Sequence, residues 1–310
     1  MTFSELLPEY LEYKRSVGFQ YGQREEAALR KMCSFLDGAG GLTEESALAY
    51  VHADPSLSAS TIHARQCRVR QFALFSNRAR GAGSYVLPLG ATLRLEKGLF
   101  VPYIFTKSEI KSILRATDAL TNSPKHPHRR IFFQTIIRLL YCTGMRITEA
   151  LALSRCDVDF ERSTLVVRGG KGNVSRLVPF NPYVASWLRA YDETQPEDRA
   201  LFFLSRHRGK SMKAREAVGK TFREVILKAA GIPRRSDGRG PRLHDLRHTF
   251  ACHCLDAMSA GGKDQFCFLP YVSRYMGHKG IESTEYYMRL TESRHDEIRR
   301  SGVFGEEAGL

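Results

Sequence analysis

The chain has 310 residues, 43% apolar and 26% charged, with 47 Lys plus Arg against 33 Asp plus Glu and a net charge of +14. That length and composition fit a folded chain of about two domains and exclude disorder. No apolar run approaches the roughly 20 residues that cross a bilayer. The opening MTFSELLPEYLEYKR carries acids and lacks the basic and apolar regions of a signal peptide, so a cytoplasmic location is expected.

Phe3 to Val17 places Leu6, Leu7, Tyr10, Leu11 and Val17 near helical spacing, and Ala27 to Leu36 repeats the pattern with Ala28, Leu29, Met32, Phe35 and Leu36. The segment GAGGL (38–42) breaks that helix, and Thr43 caps a third with Glu44 and Glu45 in its first turn. Ser58 to Arg80 is the longest helix here. It carries Arg65, Arg68, Arg70, Arg78 and Arg80 with no acid, while Val69, Phe72, Ala73 and Phe75 form the buried stripe. An acid-free basic helix suits contact with phosphates, and Arg65, Arg68 and Arg70 are its candidates.

These elements form a helical domain over 1–90, with a Pro- and Gly-bearing linker over 91–103 and a second domain over 104–310. Thr106 and Glu109 make a capping box ahead of Ile110, Ile113 and Leu114. Helices are expected over Arg130 to Leu140 and Ile147 to Leu153, on either side of the turn TGMR (143–146). Thr164 to Arg168 and Ser175 to Phe180 change to strand period and flank GGKGN (169–173), a hairpin. Helices resume over Pro182 to Tyr191, Ala214 to Ala230 and Leu243 to Met258. The fold class is mainly α with a small antiparallel β-sheet.

Charge is unevenly placed. Residues 1–100 hold 12 basic and 10 acidic side chains, a net of +2, and residues 101–310 hold 35 and 23, a net of +12. A polyanionic partner, nucleic acid or an anionic membrane, is implied for the second domain. Arg206, Arg208, Lys210 and Lys213 in an acid-free segment, with Arg234 and Arg235 in a second segment whose one acid is Asp237, suit a role tracking a phosphate backbone. The seven cysteines are scattered and odd in number, which fits reduced thiols, and Cys252-His253-Cys254 lacks the second pair of a zinc site.

Four separated fragments share one chemical logic. Arg146 opens a helix, where backbone N–H groups favour an anion, and Glu149 lies one turn on, placed to orient the Arg146 guanidinium. Lys171 stands at the apex of the Gly-flanked hairpin. His244 and Arg247, at i and i+3, share a helical face, and such a pair suits a phosphodiester. His278 follows Gly277, and nine residues later stands Tyr287. A tyrosine hydroxyl, with a free pKa of about 10, is a nucleophile only toward a polarised electrophile. Tyr286 is the alternative on these grounds.

In this order TGMRITEAL, GGKGNVSRLVPF, LHDLRHTFACH and MGHKGIESTEYY resemble the four signature blocks of the tyrosine recombinases, the phage integrase-like family of site-specific DNA recombinases. The resemblance runs over about 104–290. It implies a helical DNA-clamping domain ahead of a catalytic domain. It also implies strand cleavage through a 3′-phosphotyrosyl link without ATP, metal or other cofactor, and a homotetramer on double-stranded DNA, with accessory DNA-binding proteins in some members. Carried over by position, Arg146 and Arg247 would hold the scissile phosphate, His244 and His278 would complete the pocket, and Glu149 would support Arg146. Lys171 would be the general acid and Tyr287, by its nine-residue registry, the nucleophile.

The stretch between Arg247 and His278 is longer than usual, with SAGGKDQF (259–266) as the candidate insertion. Met276 stands where Leu is usual, and Ser283 replaces Thr. Topoisomerase-like relaxation and a non-catalytic DNA-binding role on the same fold are the alternatives. A nucleoid-associated protein of the cytoplasm, an integrase- or transposase-type recombinase, is the expectation, with integration, excision, resolution and transposition all open.

Overall fold

The structure is a computed structural model that describes residues 2–19, 21–81, 83–88, 102–169, 175–203, 211–232, 240–277, 280, 284–285 and 287. The chain divides into two compact units, Met1–Phe100 and Val101–Leu310.

The first unit holds four helices, α1 (Phe3–Ser16), α2 (Gln23–Gly38), α3 (Glu44–Val51) and α4 (Ala59–Arg80). Side-chain oxygens of Thr2, Thr43 and Ser58 accept from the first turns of α1, α3 and α4 and satisfy N–H groups that the helices leave over. The core gathers Leu6, Tyr10, Leu29, Met32, Leu36, Val69 and Phe72. Val17, read as part of the apolar stripe, lies past the end of α1 and is 51% exposed.

The second unit contains α5 (Lys107–Asp118), α6 (Arg129–Thr143), α7 (Ile147–Leu151), α8 (Pro182–Asp192), α9 (Ser211–Thr221), α10 (Leu227–Ala229), α11 (Asp245–Ala260) and α12 (Gln265–Met276). A π-helical turn, Phe222–Ile226, joins α9 to α10, so the single helix expected over 214–230 carries a local change of pitch. Three strands, β1 (Val158–Asp159), β2 (Thr164–Val167) and β3 (Arg176–Pro179), form an antiparallel sheet in the order β1-β2-β3. Leu165 pairs with Val178, both fully buried, and fixes the register of the β2–β3 hairpin. The two-residue β1 is too short to leave a period in the sequence and was not expected.

At the centre of this unit α6 packs against α5, α8 and α11. Arg138, buried within α6, forms an ion pair with Asp118, donates to Tyr183 Oη at 2.9 Å and lies 4.0 Å from the Trp187 ring centroid. The candidate insertion is a turn. Its ends belong to α11 and α12, Gly262 adopts φ +71°, and Asp264 caps α12 through Phe266 N. Among the described residues no helix is long and apolar enough to cross a membrane.

Candidate active site

The site is built where the ends of α6 and α12 meet the starts of α7 and α11. Gly144 ends α6 with φ +60°, and a Cβ there would stand 2.3 Å from Phe250 Cδ1. Only glycine fits both the left-handed turn and that close approach. The turn delivers Arg146 to the N-cap of α7, where Glu149 Oε2 accepts from its backbone N at 3.0 Å.

The two arginines expected to act together are brought together. Arg247, on the first turn of α11, donates from Nη1 to the Gly144 carbonyl at 2.7 Å and from Nη2 to the Met276 carbonyl at 2.6 Å. Arg146 donates from Nη1 to Glu149 Oε1 at 2.7 Å and reaches the Gly277 carbonyl at a long 3.5 Å. Their guanidinium groups thus meet consecutive carbonyls at the end of α12. Arg247 is 2% exposed, and burial followed by the Arg146 charge lowers its pKa to about 10. A guanidinium has five N–H donors, and among the described residues Arg247 gives two of them to carbonyls and keeps three. Two like charges held side by side with spare donors are the electrostatics of an anion site.

Arg176, at the start of β3, received no role from the sequence. It donates to both oxygens of Glu149, Nη1 to Oε1 at 3.1 Å and Nη2 to Oε2 at 2.8 Å, and from Nε to the Tyr275 carbonyl at 2.9 Å. Burial raises the Glu149 pKa, but hydrogen bonds from Arg176 and Arg146 and the Arg176 charge outweigh it and hold the group at about 2. Two guanidinium groups, those of Arg146 and Arg176, therefore share one carboxylate. The signal available in the sequence was an Arg two residues before apolar Val178, on the same face of a strand that leaves the expected Lys171 hairpin.

His244 stands at the N-cap of α11, open to solvent. His248, one turn on and half-buried, meets it edge to face with ring centroids 4.8 Å apart. His248 Nδ1 lies 2.9 Å from Tyr287 Oη, and the two rings are 5.5 Å apart. Burial, then the charges of Arg242 and Arg247, push the His248 imidazole down to about 4. The His248 side chain, passed over in the sequence, could have been found as the residue four beyond His244 on the same face. Tyr287 is 4% exposed and packs with Cys252, Leu255, Leu269, Val272 and Met276 from α11 and α12. Asp245 anchors the start of α11 by accepting from Arg242 N at 2.7 Å.

Lys171, His278 and Tyr286 lie outside the described residues, as do Arg206, Arg208, Lys210, Arg234, Arg235 and the side chain of Lys213. In the first unit Arg65 donates to the Tyr50 carbonyl at 2.9 Å and lies over the Tyr50 ring. Arg70 donates to the Leu87 carbonyl, and Arg68 is half-buried on the same helix. All seven cysteines are free thiols. Among the described residues no three His, Cys, Asp or Glu side chains gather as a metal site would require.

Comparison with known proteins places this geometry. Residues 104–294 match the model of the phage integrase family. A putative integrase/recombinase of Sinorhizobium fredii, y4rB, is 29% identical over 93% of this chain and 92% of its own length. Tyrosine recombinase XerD of Staphylococcus epidermidis is 32% identical over 73% of this chain and 70% of its own length. For tyrosine recombinase XerA of Thermococcus onnurineus, 31% identical, the match spans 62% of this chain and 59% of that protein. Among solved structures, XerH site-specific recombinase bound to a palindromic difH substrate superposes with a TM-score of 0.66 at 22% identity, over 90% of this chain and 78% of that one. The Tn1549 transposon integrase in complex with transposon right end DNA gives 0.63 at 17% identity, over 97% and 98%. The family resemblance and the expected fold class therefore hold, and the chain belongs to the phage integrase family of tyrosine recombinases, enzymes that break and rejoin DNA.

Proposed function

We propose that this chain is a site-specific DNA recombinase that cleaves double-stranded DNA with Tyr287 and reseals it from a 3′-phosphotyrosyl link. The observation that carries the reading is the pairing of Arg146 and Arg247 at the end of α12, with Tyr287 packed against α11 and α12. A phosphodiester brought there relieves the repulsion between the two guanidinium groups. A pentavalent transition state, with one more negative charge, relieves it further. His244 and His278 donate to the same phosphate. Lys171 protonates the leaving 5′ oxygen, and Glu149 keeps Arg146 in place.

The linkage conserves the energy of the phosphodiester, so a 5′ hydroxyl from another strand reseals the backbone without ATP. The helical first unit, with Arg68 and its neighbours on α4, grips the duplex as a clamp. The basic segments carrying Arg206, Arg208, Lys210, Lys213, Arg234 and Arg235 add contacts to phosphate that do not depend on sequence. Four copies acting on two duplexes provide the strands to be exchanged.

A duplex with a nick close to the cleavage point tests this directly. Loss of the short fragment prevents resealing, so the reading expects a covalent protein–DNA adduct that survives denaturation. Failure to form one on nicked duplexes made from the DNA that flanks its gene overturns it.

A further inference from the structure

The hydroxyl of Tyr287 meets an imidazole that none of the expected roles uses. We propose that His248 is the general base of strand cleavage, taking the proton of Tyr287 as its oxygen attacks phosphorus; this rests on the reading of Tyr287 as nucleophile. His248 Nδ1 is 2.9 Å from Tyr287 Oη, within reach of direct transfer. The ring stands on α11 next to Arg247, so base and phosphate-holding group share one rigid element. With Tyr287 4% exposed, bulk water is a poor competitor for the proton.

The described groups that face His248 are His244 on the same helix, Arg242 and Arg247, and Tyr287 itself. The two guanidinium charges and burial keep the imidazole neutral at pH 7, leaving the Nδ1 lone pair to accept from the hydroxyl with a proton on Nε2. A bound phosphodiester offsets those guanidinium charges and makes the ring more basic when the proton must move. In the step itself the Tyr287 Oη–P bond forms and the P–O5′ bond breaks. The phenolic proton passes to Nδ1, giving an imidazolium, and the leaving oxygen takes its proton from Lys171. Resealing runs the same transfers backward.

The test is single-turnover adduct formation on the nicked duplex between pH 6 and 9, with DNA binding as a folding control. At pH 7, His248→Ala is expected to fall about 10²-fold or more. The gap to the wild type should narrow as pH rises and Tyr287 loses its proton unaided. His248→Asn, whose amide oxygen takes the place of Nδ1, keeps the hydrogen bond without accepting the proton, and should show the same defect and recovery. A 5′-phosphorothiolate substrate, whose sulfur leaves without a proton, should restore Lys171→Ala and leave the His248 variants slow. Wild-type rates in His248→Asn, or a defect that does not change with pH, would overturn the assignment. Tyr287→Phe in the same assay separates the two readings. An adduct there sinks the nucleophile assignment, whereas no adduct beside fast His248 variants sinks only the base.

Discussion

Glu149 accepts from both terminal nitrogens of Arg176, at 3.1 and 2.8 Å, while its Oε1 also takes Nη1 of Arg146 at 2.7 Å. One carboxylate on α7 thus ties β3 to the arginine proposed to grip phosphate. Through Arg176 Nε and the Tyr275 carbonyl the tie extends to α12. The hairpin bearing Lys171, the turn bearing Arg146 and the end of α12 are joined by one buried network.

Arg176→Ala should break that network. Glu149 then faces Arg146 alone, and β3 loses its bond to α12. Removing one partner of a buried ion pair costs about 3–5 kcal/mol, and urea unfolding at pH 7 measures it. Arg176→Lys should recover only part, because an ammonium cannot span both carboxylate oxygens.

Stability should also fall with acid in a defined window. Glu149 sits at about 2 in the folded chain against an ordinary 4.5, so its contribution is complete above pH 4.5 and is lost as pH falls from there through 2. The contribution is about 3 kcal/mol at most. Glu149→Gln should be less stable than the wild type at pH 7, with the difference shrinking toward pH 3. His248, lowered to about 4 from 6.5, binds protons more readily when unfolded, so it stabilises the fold fully above pH 6.5 and less as pH falls toward 4. His248→Asn should reduce the wild-type slope between those two values.

Gly144→Ala tests the turn before Arg146. A left-handed φ of +60° and a Cβ 2.3 Å from Phe250 Cδ1 make it unfavourable on two counts. A loss of about 1–3 kcal/mol is expected, read as a lower thermal midpoint.

Much of this was legible in the sequence, for identifiable reasons. Thr106 and Glu109 form the expected capping box because its spacing is local. The β2–β3 hairpin appears because buried Leu165, Val167 and Val178 alternate with more accessible neighbours. Arg146 and Glu149 pair because one helical turn separates them. The roles of Arg176 and His248 were not legible, because each depends on a partner far away in the chain: Arg176 is 27 residues from Glu149, and His248 is 39 from Tyr287. Gln265–Met276 was also missed as a helix, since a Pro inside it and a Gly-Gly turn before it mask its apolar spacing.

Arg247→Lys separates binding from chemistry. A lysine cannot serve the Gly144 and Met276 carbonyls and a phosphate together. Adduct formation should fall about 10²–10³-fold, while affinity for DNA at fixed salt changes little, because many other basic residues share the contact.

The central claim is that Tyr287 becomes covalently joined to DNA. Trapping the adduct on nicked DNA, digesting it and locating the nucleotide-bearing peptide by mass spectrometry tests that claim most directly. The account predicts the modification on Tyr287 and no adduct in Tyr287→Phe; a nucleotide on Tyr286, or an adduct that persists in Tyr287→Phe, would contradict it.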